Sequence, residues 1–422
     1  MIATSGRQAA EAGAQGVVAR LAWFRNAFGR VTSSGRFIPA VDGLRFVAIF
    51  SVVLYHLNDY LLHKSPAFTL EEAKSNILQR VLACGGCGVQ LFFVISGFII
   101  GLPFAEHYLL GRPRPSLQRY FSRCFLRIQP PYVINLLLAF LLLVIVNRAD
   151  AKSLLPNLAA SLFYVHSLIF GEMSHINCVA WFLEIVVQFY ILAPFMAMVF
   201  AVRGTRPRRA VLLGGILLLI GLRTACPGFC KEYFRATILL YLDFFFAGFL
   251  LADFFVMTWN EKPSRSLGWD VIALAAWCGI VGVQFHETAK AFLPLVILVA
   301  YMGVFRGTIS QRCFSQPWIV TIGGICYTIY LYHFFIISAV GRCTVRLPAG
   351  SHYLGNVLFQ AALILPCVLI GSAILFLLFE KPFMAKDWPA RWKSRVSELL
   401  RPEQILEDVS AKTANSEPAC RG

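Results

Sequence analysis

The sequence predicts an all-α polytopic integral membrane protein of about ten transmembrane helices with one interfacial or re-entrant helix. Three observations carry this. Of the 422 residues, 58% are hydrophobic and only 14% charged, against roughly 45–50% apolar and about 25% charged in a soluble domain, so a water-soluble fold would lack the charge to cover its apolar surface. The apolar residues come in unbroken runs such as Leu136 to Val146 and not in the period-two alternation of a transmembrane β-strand, which leaves helices as the spanning elements. The cations are divided unequally between alternate loops, and that sidedness sets topology.

Each span needs about 20 apolar residues to cross about 30 Å of hydrocarbon. In chain order the stretches are 38–62, 86–103, 128–147, 179–202, 210–222, 236–258, 268–284, 291–305, 318–341 and 357–379. An eleventh, 154–170, contains Pro156, Asn157, Ser161, His166 and Ser167, and charge decides its status. With ten spans and a cytoplasmic N-terminus, segments 1–37, 104–127, 203–209, 259–267, 306–317 and 380–422 hold 26 Lys and Arg, the opposite side holds 11, and Arg45 lies inside the first span. Counting 154–170 as a crossing would put Arg203, Arg206, Arg208 and Arg209 outside, against the bias. The segment is therefore read as interfacial or re-entrant, and both termini as cytoplasmic.

Outside the spans, Val17, Leu21, Phe24, Phe28 and Val31 recur at helical spacing opposite Arg20, Arg25 and Arg30, the pattern of a helix lying on an anionic leaflet. Residues 388–400 repeat it. The expected organisation is a cytoplasmic amphipathic segment 1–37, a membrane domain 38–384, and an amphipathic segment with a disordered tail 385–422. The first 16 residues have no apolar core, so no cleaved leader is expected. The net charge of +16 reads as orientation and capture of a phosphate-bearing donor, not nucleic-acid binding. Among twelve cysteines, Cys84 and Cys87 form a C-x2-C without a second pair at zinc spacing, so no metal site is expected. Bridges among Cys84, Cys87, Cys178, Cys226, Cys230 and Cys343 stay open if the outer side is oxidising.

An ionisable residue inside a span costs at least about 2.5–3.5 kcal/mol and is a functional candidate by default. Arg45 and His56 in the first span are eleven residues apart, three turns plus about 20°, so they form one polar stripe extending ~16.5 Å along the helix. Asp42 lies on the same side and, followed by Gly43, fits an N-cap. A neutral imidazole can take a proton from a hydroxyl and return it to a leaving group, and a guanidinium can hold a carbonyl, phosphate or carboxylate. That pairing suits acyl transfer as readily as a proton relay. Glu184, after Trp181, is expected to pair with Arg45, orient His56 or act as a structural partner. Arg119, Arg123 and Arg127, spaced four apart on one face of a cytoplasmic helical turn expected to end at Pro130-Pro131, and downstream of Arg112 and Arg114, offer that face to the phosphates of a soluble donor. Ser96, Tyr330 and His333 complete the polar candidates. Asp243 and Asp253 are the acids a proton-coupled transporter or exporter would use, although no internal repeat supports that alternative.

Taken in order, these residues are similar to the acyltransferase-3 family of bacterial membrane O-acyltransferases. Ile38-Pro39-Ala40-Val41-Asp42-Gly43-Leu44-Arg45 followed by His56 resembles its R-x(10)-H signature. Further blocks follow in family order: Gly88-Val89 to Phe92-Phe93 and Ser96-Gly97-Phe98; Arg123 and Arg127-Ile128 with Pro130 and Tyr132; Trp181 to Glu184 with Phe189-Tyr190 and Pro194; Tyr330-Leu331 and His333; Glu380 to Pro382-Phe383. The resemblance implies a ten-helix enzyme of the bacterial inner membrane. It would move an acyl group, commonly acetyl, from cytoplasmic acyl-CoA to a sugar hydroxyl of a glycan or glycolipid such as lipopolysaccharide or exopolysaccharide. The donor is a substrate, and no permanently bound cofactor is implied. His56 and Arg45 then correspond to the family's histidine and arginine, and Arg123 and Arg127 to arginines on the CoA side. Cys124 stands where the family often has a second adjacent arginine. With only about 40 residues after the last span, the membrane domain would act alone or with a partner protein.

Overall fold

The computed structural model describes residues 37–384 apart from 147, 227, 229–236, 348, 349 and 351, together with Trp388. The amphipathic segments expected at 17–31 and, beyond Trp388, at 388–400, the polar tail and Cys230 lie outside the described residues. Within them the chain is helical, and the one β contact is an isolated bridge between Ser266 and Gly307. The main helices are α1 Pro39–Lys64, α2 Gly88–Leu110, α3 Leu117–Ile145, α4 Ala151–Leu162, α5 His166–Phe170, α6 Trp181–Met196, α7 Thr205–Ala225, α8 Leu242–Asp253, α9 Leu267–Gly282, α10 Leu293–Arg306, α11 Pro317–Gly324, α12 Cys326–Thr344 and α13 Tyr353–Leu375.

Six helical stretches of the described residues are long and apolar enough to cross a membrane: Pro39–Lys64, Ile77–Leu110, Leu117–Ile145, Cys178–Ala201, Leu267–Phe285 and Tyr353–Met384. A seventh arises if α11 and α12, bent by 72° at their junction, count as one span. The chain is thus a membrane protein. The other apolar stretches are also helical: α7 starts with Arg206, Arg208 and Arg209 in its first turns, α8 continues into a wide turn at Phe254–Thr258, and α10 has 14 residues.

Three local expectations change. Asp42 is not an N-cap, because the helix already begins at Pro39 behind Ile38; proline suits the first helical position, where no N–H is needed and its φ is already set. Asp42 lies inside the first turn, turned toward Arg45. The prolines at 130 and 131 do not end the arginine-bearing helix either: α3 runs through both, as membrane helices tolerate when neighbours satisfy the backbone. The 154–170 segment is two pieces, α4 and α5, separated at Tyr164, whose φ of 59° no right-handed helix continues through. Neither piece has the length of a span.

The polar residues of that segment serve the break. The Asp150 carboxylate accepts from the N–H groups of Lys152 and Ser153 and caps α4. Ser161 and Ser174 hydroxyls meet at 2.7 Å, His166 Nε2 lies 2.7 Å from Asn157 Oδ1, and the Tyr132 hydroxyl donates to the Ser161 carbonyl at 3.1 Å.

Close backbone contacts set the centre of the bundle. A Cβ on Gly97 would lie 2.5 Å from the Phe245 carbonyl oxygen, and one on Gly248 would lie 2.4 Å from that of Val94, so α2 and α8 touch through two glycines. A Cβ on Gly323 would meet the Asp42 carbonyl oxygen at 1.8 Å, which seats α11 against the start of α1. Further along, His333 of α12 meets His56 of α1. The α11–α12 pair therefore runs in the same direction as α1. The Cys84–Cys87 segment is a tight turn whose Gly85 lies against the Ser51 carbonyl, and Cys84, Cys87, Cys178, Cys226 and Cys343 are free thiols.

Candidate active site

Two polar centres lie along α1 and α12. At the first, Arg45 Nη1 donates to Asp42 Oδ1 at 2.5 Å, with both side chains largely buried. Arg127 reaches the same place from α3, and Glu380 from the turn that follows α13; Arg127 and Glu380 both lie within electrostatic range of Arg45. Glu380 is 1% exposed, accepts a hydrogen bond from the Thr328 hydroxyl, and leaves its Oε1 without a partner among the described residues. Two guanidinium groups thus lie within electrostatic range of two carboxylates, a charge balance that helps the buried Asp42–Arg45 pair and Glu380 to be tolerated.

The arginines of α3 grade into this centre. Arg119 and Arg123 are exposed, with Arg123 Nε donating to the Arg119 carbonyl at 3.1 Å, while Arg127 is half-buried. The face expected for donor phosphates therefore runs from the surface to the buried cluster. Arg112 is not free to join it, since it bridges Glu106 and Glu261 at 3.0 Å each.

The second centre surrounds His56. Its ring is half-buried, with centroids 5.0 Å from Tyr55, 5.1 Å from His333 and 5.7 Å from Phe334. Asp59, one turn further along α1, lies within electrostatic range of His56, and its carboxylate is 3.5 Å from the His63 ring. His333 is fully buried, with Nδ1 2.8 Å from the Tyr330 carbonyl oxygen and Nε2 without a partner among the described residues.

Of the other sequence candidates, Tyr330 adjoins the second centre, its ring centroid 5.9 Å from that of His333, and the rest lie elsewhere. Glu184 is fully buried, but its Oε2 accepts from the Ser167 N–H at 2.9 Å, fixing the start of α5; Arg45 is taken by Asp42. Of the partners open to Glu184, the structural one is formed. The Tyr330 hydroxyl donates to the Val179 carbonyl at 2.5 Å, the Trp181 ring lies 5.8 Å from that of Tyr241 at a tilt of 37°, and half-buried Ser96 precedes the Gly97 contact in sequence. These three sit in packing contacts. Asp243 pairs with Arg223, and Asp253 with both Arg208 and Arg209.

Residues that the sequence did not single out as site candidates include Thr328, Asp59 and a buried amide pair, together with Glu380, which entered there only as part of the Glu380 to Pro382-Phe383 block. Asn135 Nδ2 donates to the Leu331 carbonyl at 3.1 Å and Asn177 Nδ2 to Asn135 Oδ1 at 2.8 Å, tying α3 and the start of α6 to α12. The signal for Glu380 was an acid directly after the apolar run Phe376-Leu377-Leu378-Phe379; no comparable signal marks the amides.

Comparison with known proteins places this geometry. The peptidoglycan O-acetyltransferase OatA of Listeria monocytogenes is 27% identical over 343 residues, covering 72% of this chain and 50% of that protein. The exopolysaccharide production protein ExoZ of Rhizobium meliloti is 25% identical over 319 residues, covering 72% of this chain and 90% of that protein. The chain thus spans about half the length of the first relative. No solved structure matches. The acyltransferase domain family model matches residues 38–379, a range that includes Asp42, Arg45, His56, Arg127 and His333; the chain belongs to this acyltransferase family.

Proposed function

We propose that the protein transfers an acyl group, acetyl in the first instance, from cytoplasmic acyl-CoA to a sugar hydroxyl of a cell-surface or exported glycan. The observation that carries this reading is the placement of two chemically different centres along α1, at Arg45 and at His56. A cluster of arginines paired with carboxylates, continuous with the exposed arginines of α3, is separated by about three turns from a half-buried imidazole. Such a separation suits a donor with phosphates at one end and a thioester at the end of a long flexible arm. Arg119, Arg123 and Arg127 would take the phosphates, and Arg45, held by Asp42, would position the arm. His56 would take the proton of the acceptor hydroxyl as its oxygen attacks the thioester carbonyl. The C–S bond then breaks, and the thiolate leaves with the proton from His56. The named activities of OatA and ExoZ support a glycan acceptor.

The membrane arrangement proposed with it has ten crossings of the inner membrane and cytoplasmic termini. The parallel course of α1 and α11–α12 supports it, because a first and a ninth crossing must run alike, whereas counting 154–170 as a crossing would oppose them. A periplasmic reporter fused at Thr205 is expected to be inactive, and activity there would refute the arrangement. The exporter alternative draws no support from Asp243 and Asp253, whose charges are met by arginines. Mass spectrometry of surface glycans from cells with the gene, without it, and with His56→Ala tests the function. O-acetyl groups are expected in the first sample alone, and identical glycans in all three would refute the proposal.

A further inference from the structure

His333 has a defined protonation geometry and an unfilled valence. Its Nδ1 lies 2.8 Å from the Tyr330 carbonyl oxygen and 3.1 Å from that of Ile329. Both oxygens are acceptors, so Nδ1 carries the proton, and in the neutral ring Nε2 presents a bare lone pair. That nitrogen is buried without a donor among the described residues, a state that costs about 1–3 kcal/mol. Of the nearby aromatic residues, Tyr330 cannot fill it, because its hydroxyl is committed to Val179. His56 can: the two ring centroids are 5.1 Å apart at 48°, a separation at which an N–H on one ring can reach a nitrogen of the other.

We infer that His333 is a positioning residue for His56, its Nε2 accepting the His56 ring N–H and so fixing which His56 nitrogen keeps a free lone pair. This rests on His56 acting as the base. With one nitrogen tied to His333, the other faces the acceptor hydroxyl. When His56 takes the hydroxyl proton it becomes an imidazolium, whose charge is held by the same hydrogen bond to Nε2 until the proton passes to the departing thiolate. No side chain besides His56 changes its proton count.

Two near-isosteres separate this role from a structural one. His333→Asn retains a donor placed like Nδ1–H, able to reach the Tyr330 carbonyl, but has nothing at the Nε2 position. His333→Gln places an amide oxygen near Nε2 and can accept from His56. In the full-length protein in lipid, His333→Asn and His333→Leu should lower kcat about 10- to 100-fold, the cost of losing a partner that orients a functional histidine, with little change in donor KM. His333→Gln should recover most of that loss. Wild-type turnover in His333→Asn, or His333→Gln as slow as His333→Leu, would overturn the inference. A second readout needs no donor. ¹⁵N spectra of the histidine-labelled protein should show the His56 tautomer altered in His333→Asn, and an unchanged His56 signal would equally overturn it. If acyl-CoA proves not to be the donor, the spectra still decide the role of His333, so the two failures are distinct.

Discussion

The buried acceptors of α7–α8 and those along α1 and α12 differ in how completely they are satisfied. On α8, Asp243 and Asp253 are ten residues apart and are met at opposite ends of α7 by Arg223 and by Arg208 with Arg209. The two helices are thereby pinned antiparallel. Along α1 and α12 the pairing is partial. Asp42 holds Arg45, but among the described residues Glu380 keeps one carboxylate oxygen and His333 one nitrogen without a partner, and His56 stays half open. A buried charge is tolerable when paired; both oxygens of Asp243 and of Asp253 accept hydrogen bonds and leave none for a substrate, while Arg208 Nη2 and Arg223 Nε stay buried without a partner among the described residues. The difference teaches that intramembrane charge alone does not mark a site. Charge or lone pairs left unsatisfied at a place a ligand can reach do.

Substitutions that break this contrast should differ most in turnover per inserted molecule. His56→Ala should lower acyl transfer by at least about 100-fold, the usual worth of a general base, in protein that still inserts, as measured by transfer of labelled acetyl groups. Arg127→Ala should raise the donor KM by roughly 10- to 100-fold, since a charged hydrogen bond is worth about 1.5–3 kcal/mol; titration with acyl-CoA reads this directly. Arg119→Ala, on the exposed end of the same ladder, should raise it less than about threefold, and the effect should fade at high salt. Asp253→Asn should leave the turnover of folded molecules unchanged while costing about 3–5 kcal/mol of stability, because it strands two arginines; thermal unfolding in detergent would show the loss. Reversal of the first and last outcomes would erase the distinction between the two regions.

Much of the first centre was legible because its relation is local. Asp42 and Arg45 are three residues apart, and Arg45 and His56 eleven, so helix periodicity alone puts them on one side. Their wider company was not legible. Arg127 and Glu380 arrive from helices remote in sequence, and no spacing rule joins them to Arg45. Glu184 shows the same limit in reverse: its burial could be read from the apolar run around it, but its partner is a backbone N–H of α5, and backbone donors leave no mark in a sequence. His333 stood out as an ionisable residue in an apolar helix. That one of its nitrogens is anchored and the other free is a matter of tertiary packing. The end of α3 was misjudged because proline breaks a helix in water more reliably than one surrounded by neighbouring helices.

The most direct measurement of the central claim is release of free CoA by the purified, lipid-reconstituted protein supplied with acetyl-CoA. The account predicts release only when an acceptor glycan is added, with the acetyl group recovered as an ester on that glycan and no release from His56→Ala. Acetyl transfer to the glycan at the wild-type rate by His56→Ala would contradict it.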